Sequence, residues 1–219
     1  MRILLASDAY KNKMVNGAAG VVENLAETLT ACGHEVKILT MSSTNEAVRT
    51  ENEYFLPSFP MFHYPGFRQT LLVSHPYISE LKKWKPDIVH AHTEGSAARI
   101  ARYIAGSAKA PFLMTMHTYY AKFAFHQFGD TWPVRLLCVF LAAFYYRGAR
   151  IVTTPSKKGK LLLEQYKYRH EIRVIPNGID LERFRKENIA YHSIVFPRYS
   201  EESSALIRMY LSGAFGDKP

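Results

Sequence analysis

The sequence predicts a doubly wound α/β domain, a mostly parallel sheet covered by helices on both faces. Two observations carry this. Short apolar runs that suit buried strands recur at the spacing of βα units, and helical stretches fall between them. Arg2–Ser7 is the first strand candidate. After a polar loop, Gly17–Cys32 places Val21, Val22, Leu25, Ala26 and Leu29 at intervals of three and four, which gives one apolar helix face. Gly33 stops that helix, and Glu35–Met41 reads as the second strand. Asp87–Ala91, Phe112–Met116, Ile151–Thr154 and Ile172–Ile175 read as further buried strands. Ser96–Ala108, Pro133–Arg147 and Lys157–Tyr168 read as the helices between them. Ligands of such sheets bind at the carboxyl ends of the strands, so the loops after each strand are where chemistry belongs.

The stretch 54–67 resists a regular assignment, because its prolines break helices and its aromatics are too many for an ordinary solvent loop. Arg68–Lys85 follows as a helix interrupted by Pro76 and ending in Lys82, Lys83, Trp84 and Lys85. Aromatics beside cations suit a membrane interface, and they equally suit a core-facing helix with a charged outer face. The chain shows no internal repeat and no low-complexity tract.

Its 219 residues suffice for one substantial domain, or a domain with an appendage. With 47% hydrophobic residues, 12 Gly, 11 Pro and 2 Cys, the composition excludes a disordered polymer, a collagen-like fibre and a disulfide-stapled miniprotein. Cys32 and Cys138 alone suggest a reducing compartment. No apolar run approaches the roughly 20 residues of a spanning helix, and Asp8 interrupts the start too early for a signal peptide. A cytoplasmic protein is therefore expected. The formal charge of +9 is unevenly spread: residues 61–186 hold 20 Lys/Arg against 8 Asp/Glu, whereas both flanks are slightly acidic. Such a field can attract a nucleotide's phosphates, a nucleic acid or an anionic lipid surface, or simply keep the protein soluble.

Several strand ends carry candidate chemistry. Asn16-Gly17-Ala18-Ala19-Gly20 opens the first helix, where small residues let an anion approach free backbone N–H groups. It matches neither the dinucleotide fingerprint nor a P-loop, and a tight helix–strand contact explains it about as well. His90-Ala91-His92-Thr93-Glu94 closes a strand, and residues two apart share a face, so His90 and His92 can reach one ligand. No third ligand has metal-site spacing, so hydrogen bonding to a polar substrate is the favoured role, although one of the two histidines can equally be a satisfied core residue. His117 follows Phe112–Met116 directly, with Thr118, Tyr119 and Tyr120 behind it. There it can meet a substrate hydroxyl and exchange protons near neutrality. Thr154-Pro155-Ser156-Lys157-Lys158 offers a helix cap in Ser156, and Ile175-Pro176-Asn177-Gly178-Ile179-Asp180 offers a tight turn with Asp180 as a cap. A dinucleotide oxidoreductase is disfavoured, because Thr40 and Met41 stand where an acidic residue belongs.

Taken in order, the glycine-bearing first loop, Gly33-His34-Glu35-Val36, Asp87–Glu94, Thr115-Met116-His117-Thr118, Thr154-Pro155-Ser156 and Pro176-Asn177-Gly178-Ile179-Asp180 resemble the N-terminal half of a retaining GT-B glycosyltransferase of the family 4 type. The branch that glycosylates lipids, such as diacylglycerol glucosyltransferases and phosphatidylinositol mannosyltransferases, is similar in the His92-Thr93-Glu94 and His117-Thr118 segments. The resemblance implies an N-terminal acceptor-side domain over 1–186 and a short, non-matching tail over 187–219 that holds one helix at Ser200–Ser212. It implies that Gly17 and Ala18 lie near the donor diphosphate and that His117 is the catalytic residue. His92, Glu94, Thr118 and Tyr119 would line the acceptor side. The donor would be a UDP- or GDP-linked sugar, with no metal and no further cofactor. The expected function is transfer of a hexose to a lipid or lipid-linked acceptor by a peripheral protein on the inner, anionic face of the membrane, with no nucleic-acid partner. The chain is expected to be inactive alone, being either truncated or one half of a split enzyme completed by a separate donor-binding C-terminal chain. The alternative is a non-catalytic module that keeps the fold to bind a membrane or a partner.

Overall fold

The computed structural model describes residues 1–10, 17–61, 67–117, 128–129, 131–165, 168 and 170–178. Thr118, Tyr119, Asp180, the helix expected at Ser200–Ser212 and the rest of 187–219 lie outside the described residues. The elements in order are β1 (Arg2–Ser7), α1 (Gly17–Ala31), β2 (Glu35–Met41), β3 (Val48–Arg49), β4 (Glu53–Leu56), β5 (Phe59–Pro60) and β6 (Arg68–Gln69). They continue with α2 (Pro76–Trp84), β7 (Ile88–Ala91), α3 (Ser96–Ala108), β8 (Phe112–Thr115), α4 (Trp132–Tyr146), β9 (Ile151–Thr154), α5 (Lys157–Gln165) and β10 (Glu171–Val174).

Among the described residues one sheet holds eight strands in the order β10-β9-β8-β7-β1-β2-β4-β3. Every pairing in it is parallel except that of β3 with β4. The chain winds outward from β1 to β2, then returns to the other side of β1 and proceeds through β7 to β10. Right-handed crossovers in opposite directions put α1 on one face and α3, α4 and α5 on the other. The winding therefore reverses between β1 and β7, and their carboxyl ends form the crevice that such sheets use for ligands.

Both faces are dry. Alternate residues of β1 serve opposite cores: Ile3 and Leu5 pack with Val22 and Ala26 of α1, whereas Leu4 and Ala6 pack with the α2–α3 side. A stripe of Ala97, Ala98, Ala101 and Ala105 lets α3 approach the sheet closely. The doubly wound class read from the sequence is the fold observed.

Two local readings differ. Pro76 does not interrupt a helix but begins one: proline lacks the N–H that a first turn would leave unused, and His75 Nδ1 accepts from Tyr77 N at 3.2 Å as the cap. Arg68 and Gln69 instead form β6, paired with β5 inside the stretch that resisted assignment. Lys82 and the Trp84 ring of α2 are also engaged within the protein. Trp84 Nε1 donates to Glu35 Oε1 at 2.6 Å, Lys37 Nζ lies 4.8 Å over the Trp84 ring, and Lys82 Nζ donates to the Tyr103 hydroxyl at 3.0 Å. That segment fits the core-facing reading.

The first turn of α5 is docked tightly on the end of β9. Ser156 Oγ accepts from Gly159 N at 3.1 Å, as the cap expected from sequence, and a Cβ on Gly159 would stand 2.0 Å from Thr154 Oγ1. Replacing a helical glycine by alanine ordinarily stabilises by about 1 kcal/mol. Here the overlap with a buried side chain reverses the sign, so Gly159→Ala is expected to destabilise by about 1–3 kcal/mol. Urea denaturation checks this, and an unchanged or raised midpoint would refute it.

Candidate active site

The carboxyl ends of β1, β7 and β8 bring polar groups into the interior. Asp8, directly after β1, is fully buried. Its Oδ1 accepts from Ala97 N at 2.9 Å, which caps α3, and its Oδ2 accepts from the Thr93 hydroxyl at 2.7 Å. The same hydroxyl accepts from Asp8 N at 2.7 Å, so one threonine locks the carboxylate and its own backbone. The helix dipole favours the anion, but loss of water opposes it more strongly and pushes Asp8 up to about 6. The contact explains Gly95, whose Cβ would stand 2.3 Å from Asp8 Oδ2. Ser96 extends the clamp: its Oγ accepts from Thr70 N at 2.9 Å, and Arg99 donates to the carbonyls of Thr70 and Leu72.

Beside this clamp stand three imidazoles. His90 Nε2 is 2.7 Å from Thr115 Oγ1, which in turn is 2.5 Å from Thr153 Oγ1, a polar rung across β7, β8 and β9. The His90 and His92 rings lie 4.0 Å apart, which confirms the shared face. His92 Nδ1 is 3.1 Å from His117 Nε2, with the rings within 18° of parallel. Burial holds His90 and His117 down at about 4 and His92 well below its ordinary value. Burial thus works against the proton exchange near neutrality expected of His117 from its residue type.

The protonation of the pair follows from what surrounds it. His92 Nε2 is buried and finds no hydrogen-bond partner among the described residues. A buried orphan N–H costs more than a buried orphan lone pair, which favours the tautomer with the proton on Nδ1 of His92. In that tautomer Nδ1 of His92 donates to His117 Nε2, and His117 keeps its own proton on Nδ1, free to donate.

Glu94 accepts a hydrogen bond from the Tyr146 hydroxyl, which ties the loop after β7 to the end of α4. Gly17 is exposed at the start of α1, with open space where a Cβ would lie, whereas Ala18 is buried. The structure joins His92 to His117 and sets Glu94 two residues on, while Gly17 opens the helix that follows the neighbouring strand β1. Sequence reasoning missed the Asp8–Thr93–Gly95 clamp, the Thr115–Thr153 rung and Tyr146. An acid ending an apolar strand, together with a Gly-Ser helix start after another strand, was the available signal for the clamp. Nothing local pointed to Tyr146.

The model of the family described as Glycosyltransferase Family 4 matches residues 15–183. The chain belongs to this family. It is 29% identical over 199 residues to an alpha-monoglucosyldiacylglycerol synthase of Acholeplasma laidlawii, covering 86% of this chain and 49% of that protein. It is 30% identical over 205 residues to the Streptococcus pneumoniae protein of the same name, covering 89% and 44%. The chain spans about half the length of these curated relatives. Among solved structures, a sucrose-phosphate synthase from Thermosynechococcus elongatus matches with a TM-score of 0.50 at 14% identity, over 83% of this chain and 49% of that one. An alpha-glucosyltransferase in complex with UDP matches with a TM-score of 0.50 at 11% identity, over 84% and 46%. The fold is the N-terminal half of a GT-B glycosyltransferase, and the assignment to the glycosyltransferases stands.

The buried groups set the pH dependence of stability. Histidines held below their unfolded pKa bind fewer protons folded than unfolded, so their contribution is lost as pH falls from 6.5 through about 4. The amount is on the order of 3 kcal/mol for His90. Asp8 acts oppositely, since its folded value of about 6 lies above 3.8 and its contribution fades as pH rises through 6. Denaturant unfolding between pH 7 and 4 should therefore show a net loss that is shallower in His90→Gln and steeper in Asp8→Asn. Equal slopes in all three proteins would contradict this.

Proposed function

We propose that this chain is the acceptor-side lobe of a glycosyltransferase that moves a hexose from a nucleotide sugar to a lipid or lipid-linked acceptor. The observation that carries it is the neutral His92–His117 pair beside Glu94 at the carboxyl edge of a family 4 domain. In the reaction the acceptor oxygen bonds to the anomeric carbon and the bond from that carbon to the diphosphate breaks. The hydroxyl proton is released and negative charge gathers on the departing diphosphate. We assign the diphosphate to the start of α1 at Gly17 and Ala18, where the helix dipole favours an anion. His117 Nδ1–H donates to the reacting sugar, and with its Nε2 occupied by the His92 N–H it orients rather than abstracts. Glu94, steadied by Tyr146, accepts from an acceptor hydroxyl, and we assign Thr118 and Tyr119 to the same acceptor. The donor's nucleotide, UDP- or GDP-linked, is held mainly by an opposing lobe, and the residues proposed here call for no metal.

The names of the curated relatives support a lipid acceptor, and no helix among the described residues is long and apolar enough to cross a membrane. Together they support peripheral attachment, which we assign to the cytoplasmic, anionic leaflet. The test mixes the chain with a separately expressed family 4 donor lobe, diacylglycerol-containing vesicles and radiolabelled UDP-glucose or GDP-mannose. Lipid-linked label is expected only when both lobes are present, and His117→Ala should lower the rate at least ~10²-fold, as for loss of a group acting on the reacting centre. Transfer unaffected by His117→Ala would refute the assignment.

A further inference from the structure

The strands behind the histidine pair carry polar side chains where apolar ones would pack as well. In β7, β8 and β9, Val89, Ala91, Met114 and Val152 belong to the core shared with α3 and α5. The alternate residues His90, Thr115 and Thr153 therefore point to the opposite face of the sheet. The register pairs His90 with Leu113 and Thr115 with Thr153, so Thr115 stands diagonally ahead of His90 and directly beside Thr153. Both threonines are buried, each with 6% exposure. Valine has the same branched shape and brings no hydroxyl to be satisfied, so packing alone does not call for threonine at two adjoining positions.

The two hydroxyls form a chain with a direction. Thr115 Oγ1 lies 2.7 Å from His90 Nε2 and 2.5 Å from Thr153 Oγ1, and among the described residues the Thr153 hydroxyl has no other partner. If His90 donated, the Thr115 proton would pass to Thr153, and the Thr153 proton would be left without an acceptor. In the opposite direction Thr153 donates to Thr115, Thr115 donates to His90 Nε2, and both hydroxyl protons are used. That direction favours a neutral His90 with its proton on Nδ1. The His90 ring, so held, lies 4.0 Å from that of His92, and a turn of His92 out of its plane would meet it. His92 in turn meets His117, nitrogen to nitrogen and ring beside ring. We propose that Thr115 and Thr153 are positioning residues of the candidate site: through His90 they fix the ring plane in which His92 donates to His117. The proposal rests on the reading of His117 given above and adds the layer that aims it.

Imidazole proton–nitrogen correlation spectra of the full chain at pH 7 test it, because they read the rings without turnover. Thr115→Val is expected to shift the ring nitrogens of His92 and His117 as well as those of His90, and to populate a second tautomer of His92. Thr115→Ser keeps the hydroxyl and should restore the parental pattern. Thr153→Val removes only the outer hydroxyl and should shift the same signals by less. If Thr115→Val does not fold, Thr153→Val set against Thr153→Ser gives the same contrast. With the donor lobe and vesicles added, Thr115→Val should lower kcat about 10-fold with KM little changed, and Thr115→Ser should recover it. Valine variants whose His92 and His117 signals stay at their parental positions overturn the proposal, since a threonine that only packs would move the unfolding midpoint alone. Shifted signals with an unchanged transfer rate uphold the coupling of the rings and overturn instead the role of His117.

Discussion

A parallel sheet covered on both faces buries the carboxyl ends of its strands, and in this chain those ends carry Asp8, His92, Thr115 and Thr154, all of them buried. An unpaired polar group there forfeits its hydration, and among the described residues the buried side-chain atoms left without a partner are the Thr40 hydroxyl and His92 Nε2. The solutions interlock. Asp8 finds the first turn of α3 and the Thr93 hydroxyl, which joins the loop after β1 to the loop after β7 across the reversal of winding. Thr115 finds His90 and Thr153, and His92 finds His117. The framework of the candidate site is thus also what permits its own burial.

This has a consequence for the chemistry. Three imidazoles within one enclosed cluster cannot carry charge cheaply, and desolvation is the largest influence on each of them. A site assembled in this way offers fixed, neutral hydrogen-bond geometry rather than proton exchange. That suits the transfer proposed above, in which charge develops on the departing group while the enclosed side orients the sugar and the acceptor. Asp8 stays outside this chemistry. It secures the first turn of α3, and Gly95 lacks a side chain because the carboxylate already fills the space.

Much of this was legible in the sequence because it is periodic or local. The apolar runs of β1, β7, β8 and β9 and the three- and four-residue spacing in α1 specify the winding, and the winding specifies which edge holds the ligand. His90 and His92 share a face because a strand alternates. What stayed hidden depends on partners far apart in the chain: Asp8 meets Ala97 across 89 positions, and Tyr146 meets Glu94 across 52. The strand pair β5–β6 escaped for the same reason, since each of its strands is only two residues long and neither has a period to read. Residue type also misled. Histidine signals proton exchange near neutrality until burial is known, and Lys82 signals a free surface until the Tyr103 ring and hydroxyl are found beside it.

The central claim is that the carboxyl edge of this sheet presents a neutral histidine pair whose protons are placed by its surroundings. Long-range proton–nitrogen correlation spectra of the imidazoles test it most directly, with His92→Gln and His117→Gln assigning the signals. Across pH 5 to 8, His92 and His117 should both remain neutral, each protonated on Nδ1, with no titration in that window. An imidazolium signal for either ring at pH 6, or a proton on Nε2 of His117, would contradict the account.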